Sequence, residues 1–326
     1  MPSPLPLAPA DIVASPDHFL HSFEGDDAII MPMDAAAYRR SIFLDQRILA
    51  ADGEARMMPV VALPLPAASP PLGWIFHMAH CGSTLLARAL GDLGENIVLR
   101  EPFALRQLAF EPDPSRLALV MAMLGRRYVP AVPTIVKANV PVNFLLPQIT
   151  AHDPSARAIM LYCALPDYLL AILRSDNHRS WVRNVTTQLA AYLGDMAGLS
   201  DAERAAALWL AQTQKFGQAL SAMPDARSLD AEQFFAQPEP VLAAACSHLG
   251  VAAAPGAIAA VVAGPLFATY SKNPTVVFDN AARIARRGLL APVLAQDIDA
   301  ARRWLDKTGV HVDRIHAALQ SRALRN

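Results

Sequence analysis

Residues 73–94 read GWIFHMAHCGSTLLARALGDLG, and the fold follows from how this stretch changes its period. GWIFHM is a short run of bulky apolar residues, the pattern of a strand covered on both faces. AHCGS interrupts it, and then Leu85, Leu86, Ala89, Leu90 and Leu93 recur at helical spacing, with Gly94 at the close. A turn that joins a strand to the start of a helix presents unpaired N–H groups and the positive helix end, so it is a seat for a phosphate. Gly82 lets the backbone close on an anion, and Ser83 and Thr84 add hydroxyl donors. A plain strand-to-helix turn capped by Ser83 would look much the same. The ATPase pattern G-x-x-x-x-G-K-[ST] is not met, because its lysine slot holds Ser83 and its upstream glycine slot holds His77.

Outward from this stretch the same alternation continues. NIVL at Asn96 to Leu99 is a second short strand, ending at Arg100, Glu101 and Pro102. TIVK at Thr134 to Lys137 and AIMLYCAL at Ala158 to Leu165 are β-rich runs separated by a helical stretch at Asn143 to Ile149, so a parallel sheet is the economical reading. A helix at Asp167 to Arg174, an amphipathic helix at Asp201 to Leu220, a strand at Ala226 to Leu229 and a helix at Pro238 to Leu249 follow. The expected fold is α/β, a P-loop NTPase-like three-layer arrangement about a central parallel sheet, with an N-terminal strap and C-terminal helices. Residues 1–66 form the N-terminal extension, with alternation in AIIMPM and SIFLDQRILA and a proline-rich VALPLPAASPP linker. Residues 67–280 form the core, and 281–326 a helical tail whose basic residues cluster at Arg283, Arg286, Arg287, Arg302 and Arg303.

A chain of 326 residues that is 53% apolar builds a large core. With 28 basic and 29 acidic residues, neither nucleic acid nor an anionic membrane is indicated as a partner; a small-molecule ligand fits better. Cys81, Cys163 and Cys246 are widely spaced and odd in number, which argues against disulfides and a zinc site and points to a reducing, cytoplasmic compartment. No metal is expected. The opening MPSPLPLAPADIVASP lacks the basic start of a signal peptide. Pro240 to Ser271 carries no charged residue, but Pro255, Gly256, Gly264 and Pro265 interrupt it, which favours two helices joined by a turn over a membrane span.

The stretch HCGSTLLARAL resembles the 5′-phosphosulfate loop of the sulfotransferases, in which a basic residue precedes Ser-Gly-[ST]-[ST]. The motif order is similar to tyrosylprotein-type and bacterial members. The resemblance implies that His80, Cys81, Gly82, Ser83 and Thr84 grip the 5′-phosphosulfate of 3′-phosphoadenosine 5′-phosphosulfate (PAPS), leaving 3′-phosphoadenosine 5′-phosphate as product. LREP places Glu101 21 residues after His80, where such enzymes carry a catalytic glutamate, so Glu101 is the implied general base. Lys137, at a strand end, is the implied stabiliser of charge on the transferring group, and His80 joins them as the third catalytic candidate. TYSKNP resembles a nucleotide-contacting loop, which gives Ser271 and Lys272. Asp230 reads as structural.

The arginine and serine with which the family grips the 3′-phosphate are Ala164 and Ile172 here, and neither binds phosphate. Either Arg174, Arg179 or Arg183 supplies that charge from the following turn, or the donor lacks a 3′-phosphate altogether. The implied activity is sulfuryl transfer from PAPS to a hydroxyl or amine of a small acceptor. A kinase-like transferase using Mg²⁺ at Thr84, and a nucleotide-binding protein without catalysis, stay open beside it. Met121, Met123 and Leu124 hint at an apolar or aromatic acceptor and equally at core. A homodimer through the C-terminal helices is left open.

Overall fold

The computed structural model describes residues 7–325; residues 1–6 of the opening segment lie outside them. Ahead of the core, β1 (His18–Glu24), β2 (Asp27–Pro32) and β3 (Arg56–Pro59) form a small antiparallel sheet in that order. Phe19, Leu20 and Ile30 of this sheet join the main hydrophobic core, Leu20 and Ile30 facing each other across the first two strands. The helix Pro9–Ala14 packs here too, with Ile12 and Val13 buried and the Ile12 carbonyl accepting from Arg126 at 2.8 Å.

SIFLDQRILA, expected to alternate as extended chain, has no regular structure beyond a short bend and turns. The reason is Arg100. Its buried guanidinium donates to the carbonyls of Tyr38 at 2.9 Å, Arg39 at 3.0 Å and Ile42 at 3.2 Å, and also to Ser41. Tyr38 and Arg39 belong to the helix Ala35–Arg40, and the carbonyls of Ser41 and Ile42, which would open a strand here, are already taken. Arg100 is thereby unavailable to pair with Glu101.

The central sheet has five parallel strands, β4 (Gly73–His77), β5 (Ile97–Arg100), β6 (Thr134–Lys137), β7 (Arg157–Tyr162) and β8 (Ala226–Asp230), in the order β5-β6-β4-β7-β8. β4, β5 and β6 are buried along their whole length, which is why they read as continuous apolar runs. The helices Ser83–Asp92 and Pro238–Leu249 cover one face, and the long helix Asp201–Ala222 lies on the other. That long helix starts with a reciprocal cap between Ser200 and Glu203 and is fixed to β7 by Trp209, whose indole N–H donates to the Cys163 carbonyl at 2.9 Å. Side chains such as Trp74, Phe76 and Trp209, all fully buried, each contribute about 2–3 kcal/mol by leaving water. Met121, Met123 and Leu124 are core as well.

From β4 the chain crosses first to β5 and β6 on one side, then to β7 and β8 on the other. The carboxyl end of β4 is therefore a switch point, where the helices diverge and a crevice opens. The charge-free stretch forms the helices Pro238–Leu249, Ala257–Ala263 and Pro265–Ala268; among the described residues no helix is long and apolar enough to cross a membrane. A hairpin of β9 (Thr269–Tyr270) and β10 (Asn273–Val277) then leads into the helices Asn280–Val293, Ala295–Lys307 and Val312–Ser321.

Candidate active site

Two non-glycine residues have left-handed backbone among the described residues, His80 at φ 62° and Glu101 at φ 58°. Such a conformation costs roughly 1–2 kcal/mol for a residue with a Cβ. Both stand at the carboxyl edge of the sheet, His80 at the switch point after β4 and Glu101 after β5, two strands away.

At the first position the chain leaves β4, turns through His80 and reaches Gly82, which caps the helix Ser83–Asp92 at φ 87°. Phe235 lies across Gly82; a Cβ there would meet the tip of its ring at 2.7 Å. The Cys81 thiol is tucked under the loop and donates to the Met78 carbonyl at 3.0 Å, which takes it out of any ligand's reach. Ser83 and Thr84 are buried, and the Thr84 hydroxyl has no protein partner.

At the second position Arg100 pairs with Lys137 across β5 and β6, and the Glu101 N–H then donates to the Lys137 carbonyl at 2.7 Å. The left-handed turn at Glu101 brings its carboxylate back onto the Lys137 ammonium, where the two form an ion pair. Lys137 is fully buried. Burial alone would raise the Glu101 carboxyl, but Lys137, then His77 and Lys272, outweigh it and hold it at about 2. Burial pulls the Lys137 ammonium below its ordinary value, against the opposing pull of Glu101. Glu101 does not cap the helix that follows: Phe103–Phe110 has Pro102 at its N-cap and no side-chain cap.

His77 was not selected by sequence, where it served only to reject an ATPase loop. It ends β4 with Nδ1 2.7 Å from the Met78 carbonyl, so Nδ1 carries the proton and Nε2 is a bare acceptor, buried and without a protein partner. Burial, then Lys137, pushes its pKa down to about 3. His80 is likewise held well below its ordinary value, by burial and then by Lys272 and Arg174. The residue standing where a lysine or arginine was expected is thus a neutral imidazole at neutral pH.

The positive charge comes from elsewhere. A cavity of about 380 Å³ opens over the loop, lined by His80 to Thr84 together with Arg174, Ser271 and Lys272. Arg88 holds the hairpin turn in place by donating to the Ser271 carbonyl at 2.9 Å. Arg283, Arg286 and Arg287 reach the same cavity from the helix Asn280–Val293. Glu232 engages Arg283 at 2.6 Å and Arg287 at 2.8 Å, and Asp167 also engages Arg287. Arg174, Lys272 and Arg286 have no carboxylate partner among the described residues; Arg286 stacks 4.2 Å over the Phe278 ring. Arg179 stands apart, its guanidinium committed to Asp297 at 2.7 Å and facing Asp201 at 3.8 Å, and Arg183 faces the same Asp201. Asp230 caps the helix Ala231–Ala236 through the Glu232 N–H at 2.8 Å, the structural role expected of it.

A second cleft, of about 590 Å³, lies on the other side of His80 and is lined by His77, Glu101 and Asn139. His80 and Lys272 line both spaces. The arrangement is two chambers meeting at one point, with a phosphate loop on one side and a carboxylate and a bare imidazole nitrogen on the other.

No family model matches the chain, and no curated protein does. Among solved structures the chain is similar to a sulfotransferase domain from the curacin biosynthetic pathway, at 13% identity over 69% of this chain and 98% of that one, with a TM-score of 0.41. It is also similar to a sulfotransferase from Alicyclobacillus acidocaldarius, at 13% identity over 72% of this chain and 96% of that one, with a TM-score of 0.36. At such identities and scores these likenesses transfer no residue roles, and the chemistry rests on the site itself.

Proposed function

We propose that this protein is a sulfotransferase that moves a sulfuryl group from PAPS to a hydroxyl or amine. The observation that carries the reading is the pair of left-handed residues, His80 where the two chambers meet and Glu101 on the wall of the second, with three cations that have no carboxylate partner among the described residues around the chamber that holds the loop. Proteins keep such strain where geometry is needed for function. The residues fit the donor: the Thr84 hydroxyl is buried and orphaned among the described residues, and the left-handed backbone at Gly82 turns the loop into the start of the helix Ser83–Asp92, whose first N–H groups are free for an anion. The loop N–H groups, Ser83 and Thr84 would hold its 5′ end. Arg174, Lys272 and Arg286 would take the charge of its second phosphate, in place of the arginine and serine replaced by Ala164 and Ile172.

When bound, the donor supplies an activated sulfuryl group on a phosphate leaving group. The new S–O bond forms to the acceptor oxygen while the bond from sulfur to the bridging phosphate oxygen breaks, and the electron pair stays on that phosphate. Lys137 and Lys272 offset the charge that grows there. As Lys137 is drawn toward that charge its hold on Glu101 weakens, and the carboxylate becomes basic enough to accept the acceptor's proton. His77 Nε2, on the wall of the same chamber, orients the hydroxyl by accepting from it until transfer.

Calorimetric titration with 3′-phosphoadenosine 5′-phosphate, adenosine 5′-phosphosulfate, and ATP with and without Mg²⁺ tests this reading. Micromolar binding of the bisphosphate, weakened about tenfold or more in Lys272→Ala and Arg174→Ala, is the expected result. One observation favours a second reading, a phosphoryl transferase: the orphaned Thr84 hydroxyl could serve a magnesium ion equally well. Binding of Mg²⁺-ATP alone would replace the first reading with the second, and silence from every nucleotide would remove both.

A further inference from the structure

We infer that the second chamber takes a saccharide, whose ring stacks on Trp181 while one hydroxyl is presented at Glu101 and His77. The inference rests on the sulfotransferase reading and names the acceptor class within it. The starting point is the helix Asp176–Gln188, whose Asn177, Trp181, Asn184 and Gln188 all line this chamber. They recur at steps of four, three and four, so they form one stripe of a helix face. All four are exposed, and none of the three amides makes a side-chain hydrogen bond to another described protein group. A row of free amides offers donors and acceptors in alternation. That pattern suits hydroxyl groups, which need both at once, better than it suits a fixed charge or an apolar surface.

Trp181 sits within this row. It is 36% exposed, whereas Trp74 and Trp209 are fully buried and Trp304 packs on the core. An open indole face among hydrogen-bonding groups suits a ring with apolar C–H faces and polar edges. The opposite wall excludes a greasy acceptor. Phe43, Ala79, Val140 and Val185 line the chamber but are all buried, and the Phe43 face is covered by the Arg47 guanidinium at 3.9 Å. Asn139 adds a buried carbonyl oxygen with no partner. Past Gln188 the chamber continues into a groove of about 590 Å³ that shares Asp45, Arg47, Arg106 and Gln188 with it and runs on to Phe110. The length favours more than one sugar unit, and Arg106, without a carboxylate partner among the described residues, stands where chamber and groove join.

The test uses the full chain loaded with 3′-phosphoadenosine 5′-phosphate on a printed array of neutral and uronic oligosaccharides. Hits are titrated in solution against the wild type, Trp181→Ala and Trp181→Phe, with nucleotide affinity measured in parallel. Trp181 is on the surface, so its variants leave the core untouched. The expected result is oligosaccharide binding that weakens at least about tenfold in Trp181→Ala and returns in Trp181→Phe, at unchanged nucleotide affinity and with a shift in tryptophan emission in the wild type. Nucleotide binding with no saccharide bound, or saccharide binding indifferent to Trp181, would overturn the inference while leaving the donor reading intact. Absence of bisphosphate binding by the wild type would sink the donor reading, and this inference with it.

Discussion

Replacing Lys137 with methionine removes a fully buried ammonium and leaves the Glu101 side chain, 16% exposed, without its partner. In the intact protein the Glu101 carboxyl is held at about 2 against an ordinary 4.5. A depressed acid contributes stability that is present above the unfolded value and is lost as pH falls from about 4.5 toward 2. A depression of this size corresponds to about 3 kcal/mol at neutral pH, the order of the roughly 3–5 kcal/mol that orphaning one member of a buried pair costs. In Lys137→Met, burial is left largely unopposed and lifts the carboxyl above its unfolded value. The sign then inverts: stability is complete below the unfolded value and is lost as pH rises through the folded one. Urea unfolding followed by circular dichroism at about pH 5.5 and about pH 8 measures this directly. Lys137→Met should lose about 3 kcal/mol at the higher pH and clearly less at the lower one. The double variant Lys137→Met, Glu101→Gln should recover most of the loss, because the amide has no charge to strand. An equal loss at both pH values, or a double variant no more stable than the single one, would refute the reasoning.

Gly82→Ala should lower stability by about 1–2 kcal/mol through left-handed strain and weaken bisphosphate binding by tenfold or more as Phe235 is pushed aside; thermal melts and calorimetry check the two effects. His77 and His80 are held neutral, so stability should fall as pH drops below about 6.5, by about 1.4 kcal/mol per pH unit for each excluded proton, and His77→Gln should reduce the measured slope by one proton. The three thiols are buried, with Cys81 and Cys246 pushed up to about 11 by burial, so a chromogenic disulfide should label none of them quickly until denaturant releases all three. Arg179→Ala should cost less than about 1 kcal/mol and leave nucleotide affinity unchanged, in contrast to Arg174→Ala.

The central strands were legible because strands covered on both faces are apolar through their middle; the polar residues of β4, β5 and β6 sit at strand ends, His77, Arg100, Thr134 and Lys137, and Lys137 is met there by Glu101. The loop was legible from its change of period and from Gly82. The antiparallel sheet was not, apart from the run at β2: the alternation in β1 is interrupted by a register shift between Leu20 and Ser22, and SIFLDQRILA is held by Arg100, a residue far along the chain. His77 was missed because nothing local distinguishes a strand-ending histidine with a bare nitrogen from one that is satisfied. Arg286 was seen only as one of a basic cluster, since its place at the cavity depends on the last helices folding back over a loop some two hundred residues earlier. The neutrality of His80 lies beyond sequence for the same reason, being set first by burial and then by Lys272 and Arg174 converging from two other elements.

The outer edge of β8 has a guest. Ser228 accepts from the Leu324 N–H at 2.7 Å and donates its own N–H to the Arg322 carbonyl at 2.9 Å, so residues 322–324 run alongside the sheet and shield a rim that would otherwise invite a foreign strand. Between this clasp and the Asn280 amide, which grips the Phe235 carbonyl at 3.2 Å, hang the three helices that carry Arg283, Arg286 and Arg287. The chain between these two fastenings is packed rather than slung, with Ala295–Lys307 and Val312–Ser321 both lying on the long helix Asp201–Ala222, so the sheet edge and the cavity wall formed by Asn280–Val293 are closed by one continuous C-terminal segment.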